Sequence, residues 1–335
     1  MKKIINQPEN VVEEMLEGLA LANPQLKHVP GKGVISRRAK ADKVGLVSGG
    51  GSGHEPAHAG YVGTGMLDAA VAGNVFASPD PERVLAGIQE ADTGKGVLLV
   101  IKNYSGDLMN FTMAAELARM EGVTVDYVVV KDDVAVEDST FSTGRRGIAG
   151  TVFVHKLAGA KAEAGATLAE VKAAAEKTVK NIRSMGMAMS SCIIPAVGKP
   201  GFTLGDSEIE IGMGIHGEPG VRRTDIMPAR DIAAELLGAI SRDFDHDGGI
   251  AGREVALMVN GLGATPLMEL NILCMQAHRW LEAAGVRVYK SYVGNYMTSL
   301  EMAGCSLTVL RLDDELKALL DAPADTPAFK EGKIS

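Results

Sequence analysis

Val44-Gly45-Leu46-Val47-Ser48-Gly49-Gly50-Gly51-Ser52-Gly53-His54-Glu55-Pro56-Ala57-His58 begins as a short apolar run and dissolves into glycine. Positions 44–48 read as a buried strand, and the glycines after them as a loop at its carboxyl end. The pattern recurs where Gly96-Val97-Leu98-Leu99-Val100-Ile101 stops at Lys102-Asn103. Between the two runs, 79–89 reads as a helix with proline near its start. After the second, 111–121 reads as a helix and 123–130 as a β-branched strand. Upstream, 7–20 has apolar residues at helical spacing and acidic residues in its first turn. Strands alternating with helices predict an α/β fold with a largely parallel sheet, whose ligands gather at the carboxyl ends of the strands.

A second cycle follows. Positions 167–185 and 230–240 read as helices, 254–259 as a strand, 266–284 as a long helix, 286–292 and 306–312 as strands, and 313–320 as a short helix. The expectation is two α/β domains, each a mostly parallel or mixed sheet covered by helices. The first, 1–185, would hold the Gly-rich loop and Asp107; the second, 186–335, a loop around His216.

Composition narrows the function. Of the 335 residues 46% are hydrophobic and 23% charged, and no apolar run approaches the ~18 residues that cross a bilayer. Thirty-four basic against 42 acidic residues give a net charge of −8, which repels phosphate backbones. Neither a membrane nor nucleic acid is expected as a partner. Three cysteines (Cys192, Cys274, Cys305) at wide spacing predict neither a disulfide framework nor a structural zinc, and the chain reads as cytoplasmic.

Three stretches carry chemistry. In 48–58, four glycines in five residues free backbone N–H groups to converge on an oxygen-rich ligand, and Ser52 and His54 add a hydroxyl and a proton carrier. A Gly-rich structural turn is the bland alternative. His54 is preferred to His58, which lies four residues further on; as a metal pair the two lack an evident third ligand. In 101–111, Lys102 offers a positive donor and Asp107 a proton-accepting carboxylate, unless Asp107 is merely the N-cap of the following helix. In 211–220, Gly212-Met213-Gly214-Ile215-His216-Gly217 matches G-x-G-x-x-G formally, but Pro219-Gly220 follows and no helix opens, so the dinucleotide reading fails. What remains is a histidine between glycines, suited to act as a nucleophile. Asp243-Phe244-Asp245-His246-Asp247 reads as a polar loop, Gly144-Arg145-Arg146-Gly147 as an anion site, subunit contact or exposed turn, and no ATP-binding motif is legible.

Gly49-Gly50-Gly51-Ser52-Gly53-His54-Glu55-Pro56, Ile101 to Asp107, Gly144 to Gly147, Gly198-Lys199-Pro200, Gly214 to Gly220 and Leu262-Gly263-Ala264-Thr265-Pro266 together resemble the dihydroxyacetone-binding subunit of dihydroxyacetone kinases, essentially from end to end. The resemblance implies that the ketone is held as a hemiaminal on His216. It also implies that Gly51, Ser52, Gly53, His54, Lys102 and Asp107 contact it, with His54 and Asp107 serving proton transfer. No metal or cofactor is expected in this chain. ATP or ADP with Mg is expected on a separate nucleotide-binding partner subunit, whose phosphoryl donor is ATP or a phosphotransferase-system protein, and a homodimer is implied. Chemistry agrees: a small, flexible ketone offers few atoms for contact, so a reversible bond supplies affinity and orientation together and rejects glycerol, which has no carbonyl. Two other readings stay open, a dihydroxyacetone-sensing co-activator and a kinase subunit for a four-carbon ketose such as erythrulose.

Overall fold

The computed structural model describes residues 2–137 and 144–332. After helix α1 (Val11–Ala22) come β1 (Leu26–Val29), β2 (Val34–Arg37), β3 (Gly45–Ser52), β4 (Ala69–Val75), α2 (Pro81–Ala91), β5 (Val97–Lys102), α3 (Ser105–Met120) and β6 (Val125–Val130). Their sheet runs β1-β2-β4-β3-β5-β6. Strands β4, β3, β5 and β6 are parallel, and the β1–β2 hairpin is added antiparallel at one edge. Val84, Ile88, Phe111 and Ala115 of α2 and α3 pack on one face against Val47, Val71 and Leu99.

Two expectations change here. The glycines at 49–51 are not a loop but the last residues of β3, buried along its whole length. A Cβ on Gly49 would stand 2.2 Å from the Val71 carbonyl oxygen, so only glycine lets β3 and β4 approach that closely. Helix α3 opens at Ser105, six residues before the apolar spacing signals it, because its first turn is polar.

Helices α4 (Thr151–Glu163) and α5 (Leu168–Asn181) cover the other face. The helix expected to reach 185 ends at Asn181, where the chain turns into β7 (Ile182–Ala188), the strand inside which the expected division at 185 falls. The remaining elements are β8 (Glu208–Ile211), β9 (Arg222–Asp225), α6 (Ala229–Asp245), β10 (Glu254–Gly261), α7 (Leu267–Ala283), β11 (Arg287–Gly294), β12 (Gly304–Leu312), α8 (Asp314–Asp321) and the short pair β13 (Ala324–Asp325) and β14 (Lys330–Glu331). The second sheet runs β11-β10-β12-β7-β8-β9, with only β10–β11 parallel. It is a mixed sheet. Leu236, Leu237, Leu273 and Leu281 of α6 and α7 seal its outer face. Its inner face shares one core with α4 and α5: Phe153, Leu157 and Ala175 are in the same apolar cluster as Ala256, Met258 and Leu310. The two halves are thus layered across a common core. Among the described residues, no helix is long and apolar enough to cross a membrane.

Candidate functional site

At the carboxyl end of β3, Gly50 takes φ +145°, and a Cβ there would lie 2.4 Å from Lys102 Nζ and 3.1 Å from Asp107 Oδ2. Glycine lets these two side chains pack directly on the backbone. Lys102, the last residue of β5, is 1% exposed and donates to the Gly49 carbonyl (3.2 Å) and to Asp107 Oδ2 (3.3 Å). Asp107 is the third residue of α3, where the first-turn amides favour negative charge. Tyr104 occupies the N-cap position, so Asp107 is not the cap.

His54 is fully buried. Its Nδ1 lies 2.8 Å from the Thr298 carbonyl, which can only accept, so Nδ1 carries the proton and Nε2 the lone pair. Nε2 has no hydrogen-bond partner among the described residues. Burial, then the neighbouring His216 and Lys102, hold this imidazole well below the usual histidine range, and it is neutral. The loop carrying it is tied to the second half through Thr298 N to His54 O (3.1 Å), Leu300 N to Gly53 O (2.7 Å) and Thr298 Oγ1 to Glu55 O (2.8 Å).

His216 follows β8. Gly217, at φ +83°, folds the chain back so that Glu218 Oε1 accepts from His216 Nδ1 at 2.9 Å while Oε2 accepts from the His216 amide at 2.9 Å. Burial opposes ionisation of Glu218, but His216 and Arg146 outweigh it and hold the carboxyl down at about 2. The carboxylate therefore accepts and Nδ1 donates, so in the neutral ring of His216 the lone pair is on Nε2. The His216 ring meets His54 (centroids 4.8 Å), Phe76 (5.3 Å) and Tyr104 (4.6 Å) edge to face.

A cavity of about 630 Å³ opens over these groups, lined among others by Gly51, Phe76, Tyr104, Asp107, Val197 and His216. Lys102 and His54 lie beneath its wall, each 1% exposed or less. Two expected substrate contacts have structural partners already: Ser52 Oγ donates to the Gly73 carbonyl (2.7 Å), and the Gly53 amide donates to Glu55 (3.1 Å). His58 takes no part in the cluster, since its Nδ1 pairs with Nε2 of the buried His155 at 2.9 Å. Among the described residues, no group of three or more His, Cys, Asp or Glu is arranged to hold a metal ion.

Reading the sequence missed Glu218, Tyr104, Phe76 and Thr298. Glu218 had a signal: a carboxylate two residues after a histidine, with glycine between, can turn back onto the ring. Tyr104 lies between Lys102 and Asp107 but its ring gave no sign of facing a histidine, and Phe76 and Thr298 had no signal, because their closeness to the site is tertiary. Arg146, expected at an anion site, a subunit contact or an exposed turn, is fully buried. The expected polar loop at 243–247 begins inside α6, and its Asp243 is gripped by Arg145 and Arg183.

Comparisons with known proteins bear on the family and the fold. The family model described as the Dak1 domain matches residues 17–328. A curated relative from Listeria innocua, "PTS-dependent dihydroxyacetone kinase 1, dihydroxyacetone-binding subunit DhaK", is 56% identical over 98% of this chain and 100% of its own. The solved structure of the "Dihydroxyacetone kinase operon co-activator Dha-DhaQ" superposes with a TM-score of 0.90 at 39% identity, covering 96% of this chain and 99% of that one. The dihydroxyacetone kinase from C. freundii in complex with AMP-PNP and Mg2+ gives 0.88 at 34% identity, covering all of this chain and 62% of that one.

Proposed function

The chain belongs to the Dak1 domain family, and on that premise we propose that it is the dihydroxyacetone-binding subunit of a dihydroxyacetone kinase, holding the ketone covalently on His216. One observation carries the reading: a half-buried histidine, oriented through Nδ1 by Glu218, shares a cavity with a carboxylate, Asp107, paired to a buried lysine. In the capture step Nε2 of His216 bonds to the ketone carbon as the carbonyl π pair moves onto oxygen. That oxygen takes up a proton from solvent, and the positive charge left on the alkylated ring is met by Glu218 at Nδ1. In the transfer step Asp107 accepts the proton of a terminal hydroxyl as its oxygen attacks phosphorus, with His54 as a neighbouring base; Lys102 holds Asp107 in place. The donor is ATP with Mg on a separate nucleotide-binding subunit, whose γ-phosphoryl group is transferred as ADP leaves; that subunit either exchanges its ATP or keeps a tightly held ADP that a phosphotransferase-system protein rephosphorylates. The working unit is a cytoplasmic homodimer.

A co-activator shares this fold at 39% identity, so the second reading is a sensor that binds the ketone without turnover. Carbon NMR with dihydroxyacetone labelled at the carbonyl tests capture: the ketone signal should be replaced by a tetrahedral carbon in the wild type and not in His216→Ala. Only the ketone signal in both would overturn covalent binding. Phosphorylation on adding a nucleotide-binding subunit decides for the kinase, and adduct without turnover decides for the sensor.

A further inference from the structure

Arg146 comes from the first half of the chain but ends beneath the loop that carries His216. Its guanidinium is fully buried. Nε donates to Asp133 Oδ2 at 2.8 Å and Nη2 to the Gly212 carbonyl at 2.7 Å, which fixes the plane of the group. Asp133 is itself pinned, its Oδ1 accepting from the Ala135 amide at 2.9 Å and its backbone amide donating to the Arg146 carbonyl at 3.1 Å. Nη1, the remaining nitrogen, has no hydrogen-bond partner among the described residues.

Nη1 and Glu218 face each other across Gly214. A Cβ built there would stand 2.6 Å from Arg146 Nη1 and 2.0 Å from Glu218 Oε2, so both groups crowd the one point that glycine leaves empty. No hydrogen bond joins them. Their attraction acts through space in a region that excludes water, where a charge is screened far less than at the surface. A buried cation aimed at a buried carboxylate that in turn grips an imidazole is an arrangement that folding alone gains little from, since desolvating two charged groups is costly.

We propose that Arg146 is a positioning residue for the substrate-capturing histidine: it keeps Glu218 ionised and seated on Nδ1 of His216, so that Nε2 is the nitrogen that attacks the ketone. The inference rests on the proposed role of His216. Arg146 touches neither the ketone nor the reacting atoms; it works through Glu218. The pairing also explains why the nucleophile's environment is assembled from both halves, since the cation is anchored on Asp133 of the first half and the carboxylate on the 212–218 loop.

Nitrogen-15 NMR of histidine-labelled protein without ligand reads the His216 tautomer, and carbonyl-labelled dihydroxyacetone reads the adduct. Wild type should hold His216 with the proton on Nδ1. In Arg146→Met the tautomer should mix or invert, and the adduct should weaken roughly 10- to 100-fold, the usual cost of losing a group that orients a ligand. Arg146→Lys should recover part of both signals. Gly214→Ala, which wedges a methyl between the two groups while leaving both charges, should reproduce the defect and keeps the test open if Arg146→Met does not fold. Glu218→Gln combined with Arg146→Met should be no worse than Glu218→Gln alone. An unchanged tautomer and adduct constant in folded Arg146→Met or Gly214→Ala, whatever the loss of thermal stability, would overturn the inference. A normal tautomer response without any wild-type adduct would instead overturn the covalent reading and leave Arg146 as the setter of the tautomer.

Discussion

His54 and His216 meet edge to face with ring centroids 4.8 Å apart, the first held through Nδ1 by the Thr298 carbonyl and the second through Nδ1 by Glu218. The two rings present the same tautomer from opposite halves of the chain, each with the lone pair on Nε2. They are nonetheless unequal. His54 leans on a neutral carbonyl, which stabilises imidazolium little, whereas His216 leans on a carboxylate, which can compensate the charge that alkylation creates.

Asp107→Asn keeps the shape of the cavity wall but removes the proton acceptor. The tetrahedral carbon signal should persist, while turnover with the nucleotide-binding subunit falls roughly 10²- to 10⁴-fold, the range for a lost general base. Steady-state rates beside NMR of the same sample check it; a near-normal kcat would remove Asp107 from the chemistry.

His216→Ala should show the complementary pattern. KM for dihydroxyacetone rises steeply and discrimination against glycerol weakens, while kcat at saturation is retained better than in Asp107→Asn. Complete loss of kcat with KM unchanged would mean that the roles assigned to these two residues are exchanged.

Acid should unfold the protein through its buried histidines. Burial, then Lys102, holds His155 down at about 3, and burial is also the leading cause that depresses His54 and His58. Below the ordinary value of 6.5 the unfolded chain takes up protons at these sites and the folded chain does not. Stability is therefore complete above that pH and falls as pH drops toward the folded values, by up to about 1.4 kcal/mol per pH unit for each histidine. Urea midpoints measured from about pH 7 down to about pH 4.5 should fall less steeply in His155→Leu than in wild type. Parallel curves would show that His155 does not resist protonation.

Two glycine substitutions should move stability in opposite directions. Gly49→Ala puts a methyl 2.2 Å from the Val71 carbonyl and should cost about 1–3 kcal/mol or more, because a strand backbone has to yield. Gly18→Ala, on α1 with nothing within 4 Å, should add about 0.4–1 kcal/mol by restricting the unfolded chain. Thermal denaturation of the pair reads both signs; a stabilising Gly49→Ala would contradict the packing of β3 on β4.

Strands β3, β5 and β10 were legible because each contains a continuous apolar run bounded by glycine or charge, β6, β11 and β12 because β-branched and other apolar residues recur along them, and α2, α6 and α7 because their apolar spacing is regular. The β1–β2 hairpin and β4 were not: Ala69-Ala70-Val71-Ala72-Gly73 is too small-featured to signal a strand before its neighbours are in place. Strand β7 escaped because Met and Gly within it carry weak preferences and the alanine-rich α5 precedes it without a break. In the site, His54, Asp107 and His216 stood out through residue type beside glycine, and Lys102 as a charge at the end of an apolar strand. The parts played by Thr298, Tyr104 and Arg146 did not, since neither a backbone carbonyl nor a guanidinium or ring approaching from elsewhere in the fold shows its target in the local pattern.

The hydrogen bond between His54 and Thr298 also has a meaning in time. A ribosome that has delivered the Gly-rich loop, Lys102, Asp107 and His216 has still not delivered the carbonyl that sets the His54 proton. At about 5–20 residues per second the wait is roughly 4 to 16 s. A nascent chain thus carries its reactive side chains well before it can align them, and competence arrives only when the late segment threads back across the first sheet.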